Sequence, residues 1–156
     1  MKKVLVSLIV FLTASVFSAA ASPVSFAGKW VFDPAQSKNV GMMAGGTIQT
    51  SIKQSGSEVV VDDHSLFNGQ ADDQHTVYDL TGKPVENSSM MAAHATTRSH
   101  WEGSRLVTEW ESPGAIAGTT TKRIETRYLS SDGKTMYLES ARSGKDPMVI
   151  VFTRAN

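Results

Sequence analysis

Asp62, His64, Asp73 and His75 form the one set in this sequence with metal-binding chemistry. Asn68-Gly69 lies between the two pairs, and a two-residue turn there sets Asp62 opposite His75 and His64 opposite Asp73 on one outward face. Two imidazoles and two carboxylates could bind a divalent ion such as zinc. We prefer the alternative, two solvated Asp–His pairs, because a surface hairpin supplies no outer groups to fix the rings. His94 and His100 share a face with Arg98, Arg105 and Glu109, and are read as solvated. Asp63, Asp72 and Gln74 fall on the inward parity at a rim. They could hydrogen-bond the polar end of a ligand, or simply wet the mouth, which we favour. The sequence shows no Ser/His/Asp set, no glycine-rich phosphate loop and no paired interior carboxylates, so no catalytic residue and no cofactor are assigned.

The elements that carry these residues read as a chain of hairpins. Turn signals recur at Ser55-Gly56, Asn68-Gly69, Glu102-Gly103, Asp132-Gly133 and Ser143-Gly144. Between them lie nine alternating segments, 27–32, 47–54, 57–65, 72–80, 94–101, 104–111, 118–129, 134–141 and 147–154. Helical periodicity is absent, although Asp33-Pro34 could cap a single turn.

Turn geometry predicts the register. The expected pairs are Ile52 with Val59, Lys53 with Glu58, Val61 with Thr76, Val59 with Tyr78, Ser99 with Leu106, Thr97 with Thr108, Tyr128 with Met136 and Thr126 with Leu138. All four hairpins then share an inner face. Its ligand-lining candidates are Trp30, Tyr78, Trp101, Leu106, Trp110, Tyr128, Met136, Leu138 and Phe152, accompanied by Ile124, Thr126 and other small hydroxyl residues. The predicted outer face carries Lys53, Glu58, Arg98, Arg105, Glu109, Arg123, Glu125, Arg127 and Glu139, which leaves the middle of the lumen uncharged. A charged exterior needs water around it and excludes an outer-membrane barrel. The expected fold class is therefore all-β, an antiparallel up-and-down barrel of about 8–10 strands.

The N-terminus reads as a signal peptide: Lys2 and Lys3, an apolar run from Val4 to Phe17, then Ser18-Ala19-Ala20-Ala21. Cleavage is expected after Ala21, with Ala20 or Ser22 as alternatives. The apolar run is shorter than the roughly 20 residues that span a bilayer, and the chain has no cysteine to carry a lipoprotein anchor. The expected product, residues 22–156, is one domain, periplasmic or secreted, with no membrane anchor. Removing Lys2 and Lys3 from 15 basic residues leaves 13 against 15 acidic ones, a net charge of −2. With no basic tract, nucleic acid is not an expected partner. Without disulfides, stability must come from the core.

Gly28-Lys29-Trp30 on the first strand and Arg154 on the last resemble the lipocalin (calycin) signature. In that family a Gly-x-Trp near the closed barrel end is covered by an arginine from the last strand, a cation–π contact. The stretches from Gly28 to Lys38 and from Leu129 to Thr135 further resemble a group of small, exported, functionally uncharacterised lipocalin-like bacterial proteins. Lipocalins have eight barrel strands against the nine segments here. Nine in succession would leave the first and last strands parallel, whereas a tenth strand near Lys83–Asn87 would restore antiparallel closure.

The inner face, with large aromatics among small hydroxyl residues, suits an apolar or amphiphilic guest. Two methionine pairs, Met42-Met43 and Met90-Met91, sit in the longest predicted loops, 33–46 and 81–93. They would serve as a repacking portal or, as we favour, a plug. The leading functional expectation is an exported small-molecule binding protein. The alternatives are an interaction or structural module with a filled core, and an enzyme using the barrel interior.

Overall fold

The computed structural model describes residues 24–89 and 92–155; the expected signal peptide and the Met90-Met91 pair lie outside them. Ten strands follow one another: β1 (Gly28–Phe32), β2 (Thr47–Gln54), β3 (Glu58–Phe67), β4 (Gln70–Asp79), β5 (Val85–Ser89), β6 (Ala92–Glu102), β7 (Arg105–Pro113), β8 (Thr120–Leu129), β9 (Thr135–Ala141) and β10 (Met148–Arg154). They form one antiparallel sheet in the order β4-β3-β2-β1-β10-β9-β8-β7-β6-β5. The sheet curls into a nearly closed barrel. β5 is the tenth strand that antiparallel closure requires, and it overlaps the expected position near Lys83–Asn87.

Turn chemistry fixes the hairpins. At the β3–β4 turn Asn68 (φ 51°) and Gly69 (φ 79°) both take the left-handed conformation of a two-residue hairpin turn. Val61↔Thr76, Val59↔Tyr78, Asp62↔His75 and His64↔Asp73 pair as expected. Two other hairpins move by two residues: Ile52 faces Val61, Lys53 faces Val60, and Thr97 faces Trp110 with Ser99 opposite Thr108. An even shift leaves every side chain on its own face.

The β8–β9 hairpin departs from the prediction by one residue. Tyr128 faces Tyr137, Arg127 faces Leu138 and Leu129 faces Met136. Ser130 N–H donates to the Thr135 carbonyl at 2.9 Å, enclosing a four-residue loop, one residue longer than the pairing of Tyr128 with Met136 implies. An odd shift reverses the whole strand. Ile124 is 49% exposed, Thr126 and Tyr128 lie on the outer side, and Arg123, Glu125 and Arg127 turn inward.

β4 and β5 are the sheet edges and stand beside each other without a backbone ladder. Asn87 joins them. Its Oδ1 accepts the Val77 amide at 3.0 Å, and its Nδ2 donates to the Val77 carbonyl at 2.8 Å and to Thr97 Oγ1 at 2.7 Å. One side-chain amide thus supplies the rung that an absent strand would have supplied. It also satisfies backbone groups that an open edge leaves unpaired.

One barrel end is closed by packing. Phe26, ahead of β1, is fully buried and stacks on Trp101 with ring centroids 5.7 Å apart. Trp30 is buried and its Nε1 donates to the Phe26 carbonyl at 2.9 Å. Arg154 lies 4.2 Å over the Trp30 ring, with Nη1 donating to the Ala27 carbonyl and Nε to that of Gly133. Gly28 sits beneath the guanidinium at φ +133°, where an added Cβ would come within 2.6 Å of Arg154 Nη1. The Gly-x-Trp…Arg signature therefore has its geometric reason, with Trp30 and Arg154 paired directly across β1 and β10.

Candidate functional site

The barrel encloses a cavity of about 140 Å³ between its packed end and the opposite mouth. Met43 of a short 3₁₀ turn (Gly41–Gly45), Ser89 at the end of β5 and Met148 at the start of β10 border it at the mouth. Tyr78, Trp110, Leu138 and Phe152, all expected in the lumen, line it, as do Asp63 and Gln74. Four other expected lining residues, Trp30, Trp101, Leu106 and Met136, belong to the packed end and are absent from the cavity wall. Tyr128 is a correction. It stands outside the barrel, stacked on Tyr137 at 5.0 Å and covered by Arg105 at 4.3 Å. Partial burial and the bond it donates to Glu139 push its phenol up to about 12.

Arg123, Glu125 and Arg127 line the cavity, each 5–7% exposed. They correct the expectation of an uncharged lumen. Buried charges are costly unless partnered, and β8 meets that demand unevenly. Arg123 has two partners: its guanidinium lies 4.2 Å over the Trp110 ring, and its Nε is 3.1 Å from Glu125 Oε1, out of line for a hydrogen bond. Glu125 Oε2 accepts the Trp110 Nε1 hydrogen at 2.7 Å. Arg127 is less well served. Nη1 donates to Met136 Sδ at 3.5 Å, a weak acceptor, and the guanidinium sits 5.8 Å from the Tyr78 ring.

Across the lumen Asp63 accepts a short hydrogen bond from the Thr50 hydroxyl. Burial pushes its carboxyl above the usual carboxylate range, against the opposing pull of Thr50 and Arg127. Tyr78 is edge-on to Trp110 at 6.2 Å, and burial together with Glu125 drives its phenol well above the ordinary value. In this cluster buried charges of both signs face the barrel lumen.

Sequence reasoning placed Asp63 on the inward face and missed Arg123, Glu125 and Arg127. The signal that could have found them is the β9 partner strand: Met136, Leu138 and Ser140 fix its inner parity, and a four-residue loop then forces the arginines inward. The metal candidates stay outside as two separate pairs, His64 Nδ1–Asp73 Oδ1 at 2.5 Å and His75 Nδ1–Asp62 Oδ1 at 2.6 Å. Among the described residues no three His, Cys, Asp or Glu groups converge in a set that could hold a metal ion.

Fold and cavity together define a ten-strand antiparallel up-and-down barrel with charged side chains in its lumen. Solved structures of similar architecture include the fluorescent protein UnaG, with a TM-score of 0.64 at 14% identity over 83% of this chain and 97% of that one, and several lipid-binding proteins. Apo lipid binding protein 8 of Caenorhabditis elegans matches with a TM-score of 0.64 at 11% identity, over 83% of this chain and 95% of that one. Fatty-acid-binding protein 1 of Echinococcus granulosus gives 0.64 at 10% identity, over 84% and 98%. The Schistosoma mansoni fatty acid binding protein in complex with arachidonic acid gives 0.63 at 13%, over 84% and 96%. At such identities the likeness is one of fold. No protein-family profile matches the chain, and no curated protein matches it in sequence.

Proposed function

We propose that this protein is an exported carrier that holds one small amphiphile in its barrel, with the anionic end of the guest at Arg127 and its apolar part toward Met43 and Met148. The observation that carries this reading is Arg127 itself, a cation 5% exposed that faces the cavity and is held by Met136 Sδ, a weak acceptor, by the Tyr78 side chain and by the pull of Asp63 across the lumen. A buried cation gains more from an incoming carboxylate or sulfonate than an exposed one does. The fatty acids and lipids named for proteins of this fold support the same class of guest.

Size sets a limit. The cavity holds roughly five waters at about 30 Å³ each, below the ~300–1,000 Å³ usual for ligand pockets. It therefore accommodates the polar end and a few carbons, and a longer tail runs out between Met43 and Met148. The same small volume favours the filled-core module as the second reading. Binding of octane-1-sulfonate separates the two. A carrier binds it, and Arg127→Met weakens that binding at least ~10-fold, the equivalent of about 1.4 kcal/mol. No binding to either protein, with no co-purified mass in native mass spectrometry, leaves the filled core. Export is tested by sequencing the N-terminus of the mature protein, which should begin near residue 22.

A further inference from the structure

The lumen already contains an anion opposite Arg127. Asp63 of β3 lines the same cavity as Arg127 of β8, and the two attract across it. We propose that Asp63 is a built-in competitor for Arg127, so that an anionic guest binds together with a proton taken up by the Asp63 carboxyl. The proposal rests on the carrier reading above and adds its regulation: loading is favoured in acid and release as the pH rises.

The chemistry follows from charge count and burial. With Asp63 ionised, an arriving carboxylate or sulfonate puts a second anion beside Arg127 in a desolvated space, where like charges repel strongly. With Asp63 protonated, the carboxyl keeps a hydrogen bond with Thr50, and Arg127 is left to the guest. Other groups that face Asp63 do not substitute for this switch. β2 and β4 present Thr50, Gln74 and Tyr78. Tyr78 stays neutral because its phenol titrates far above the range in question. Asp62, beside Asp63 on its own strand, further opposes its ionisation. Glu125 of β8 is tied to Trp110 and Arg123. His64 and His75 lie on the far side of the β3–β4 hairpin in contact with Asp73 and Asp62, so their protonation has to be separated from that of Asp63 by experiment.

The test measures binding of octane-1-sulfonate, an anion at every pH used, and of octan-1-ol, neutral throughout, from pH 4.5 to 8. Wild-type affinity for the sulfonate is expected to fall with rising pH by up to tenfold per unit once Asp63 is ionised, the slope of one linked proton. Octanol should show no such slope. Asp63→Asn keeps the hydrogen-bonding shape, retains both histidines, and should bind the sulfonate with a flat pH profile and more tightly than wild type at pH 8. Calorimetry in buffers of different ionisation enthalpy should register proton uptake with wild type and none with D63N. A slope that persists in D63N, or one shared by octanol, overturns the proposal and leaves the carrier intact. If neither compound binds either protein at any pH, the carrier reading fails and takes the proposal with it.

Discussion

Arg127 is held by the fold at a cost to the fold. Replacing a whole buried ion pair with apolar residues is often neutral or stabilising by about 1–4 kcal/mol, whereas removing one partner strands the other charge and destabilises. The anion that Arg127 attracts, Asp63, sheds its charge when it takes up a proton. Arg127→Met should therefore lose the anionic guest, with little loss of melting temperature in acid and a larger loss at neutral pH. A marked drop in acid as well would make Arg127 a structural residue. Gly28 is the opposite case. Its positive φ strains any side chain and a methyl group would displace the guanidinium above it, so Gly28→Ala is expected to cost about 1–3 kcal/mol, read by urea denaturation. An unchanged midpoint would mean that the closed end does not depend on the Arg154–Trp30 contact.

At the scale of elements, the seam between β4 and β5 is where the barrel is most simply opened. Asn87 makes three hydrogen bonds there, two of them to the backbone of Val77. Asn87→Ala leaves a donor and an acceptor of a partly buried peptide without partners, a loss of about 1–3 kcal/mol. Hydrogen exchange should speed up at the Val77 amide first, with the β3–β4 hairpin interior unaffected. Uniform acceleration across the sheet would show that the seam is not a separate opening unit. The β8–β9 hairpin teaches a related lesson. Its loop length alone decides whether Ile124 and Tyr128 or Arg123, Glu125 and Arg127 meet the lumen, because a one-residue change inverts a strand.

For the whole molecule, Asp63 links the lumen to stability. Its carboxyl is raised above the ordinary 3.8, chiefly by burial, so between that value and its folded value the native chain holds a proton that the unfolded chain has released. The stability tied to this group is complete below the unfolded pKa and is lost as pH rises through the folded one. Asp63→Asn should consequently raise the melting temperature at pH 7–8, and the gain should shrink as the pH falls toward 4. A gain of the same size at both ends would rule out titration of Asp63 as its source. Asp79 and Asp132 act in the reverse direction. They accept bonds from Thr81 and Lys83, and from Ser130 and Lys134, which hold both carboxyls below the usual range, and their share of stability is lost in strong acid.

Local chemistry determined the class of this protein. Asn68-Gly69 selects its turn through the conformations those two residues tolerate, and Gly28-x-Trp30 with Arg154 marks the closed end through a glycine at positive φ beneath the guanidinium. Alternation in β2, β3, β4, β7 and β10 put Ile52, Val61, Tyr78, Trp110 and Phe152 inside, because burying one face of a strand leaves no other choice. Tertiary structure alone decided the character of the lumen. Arg123, Ile124, Glu125, Thr126, Arg127 and Tyr128 alternate charged with uncharged side chains, and strand patterning reads the uncharged set as core. The reversed choice becomes favourable only when Trp110 on the neighbouring β7, and Tyr78 and Asp63 on β4 and β3 far away in sequence, are in place to meet the charges.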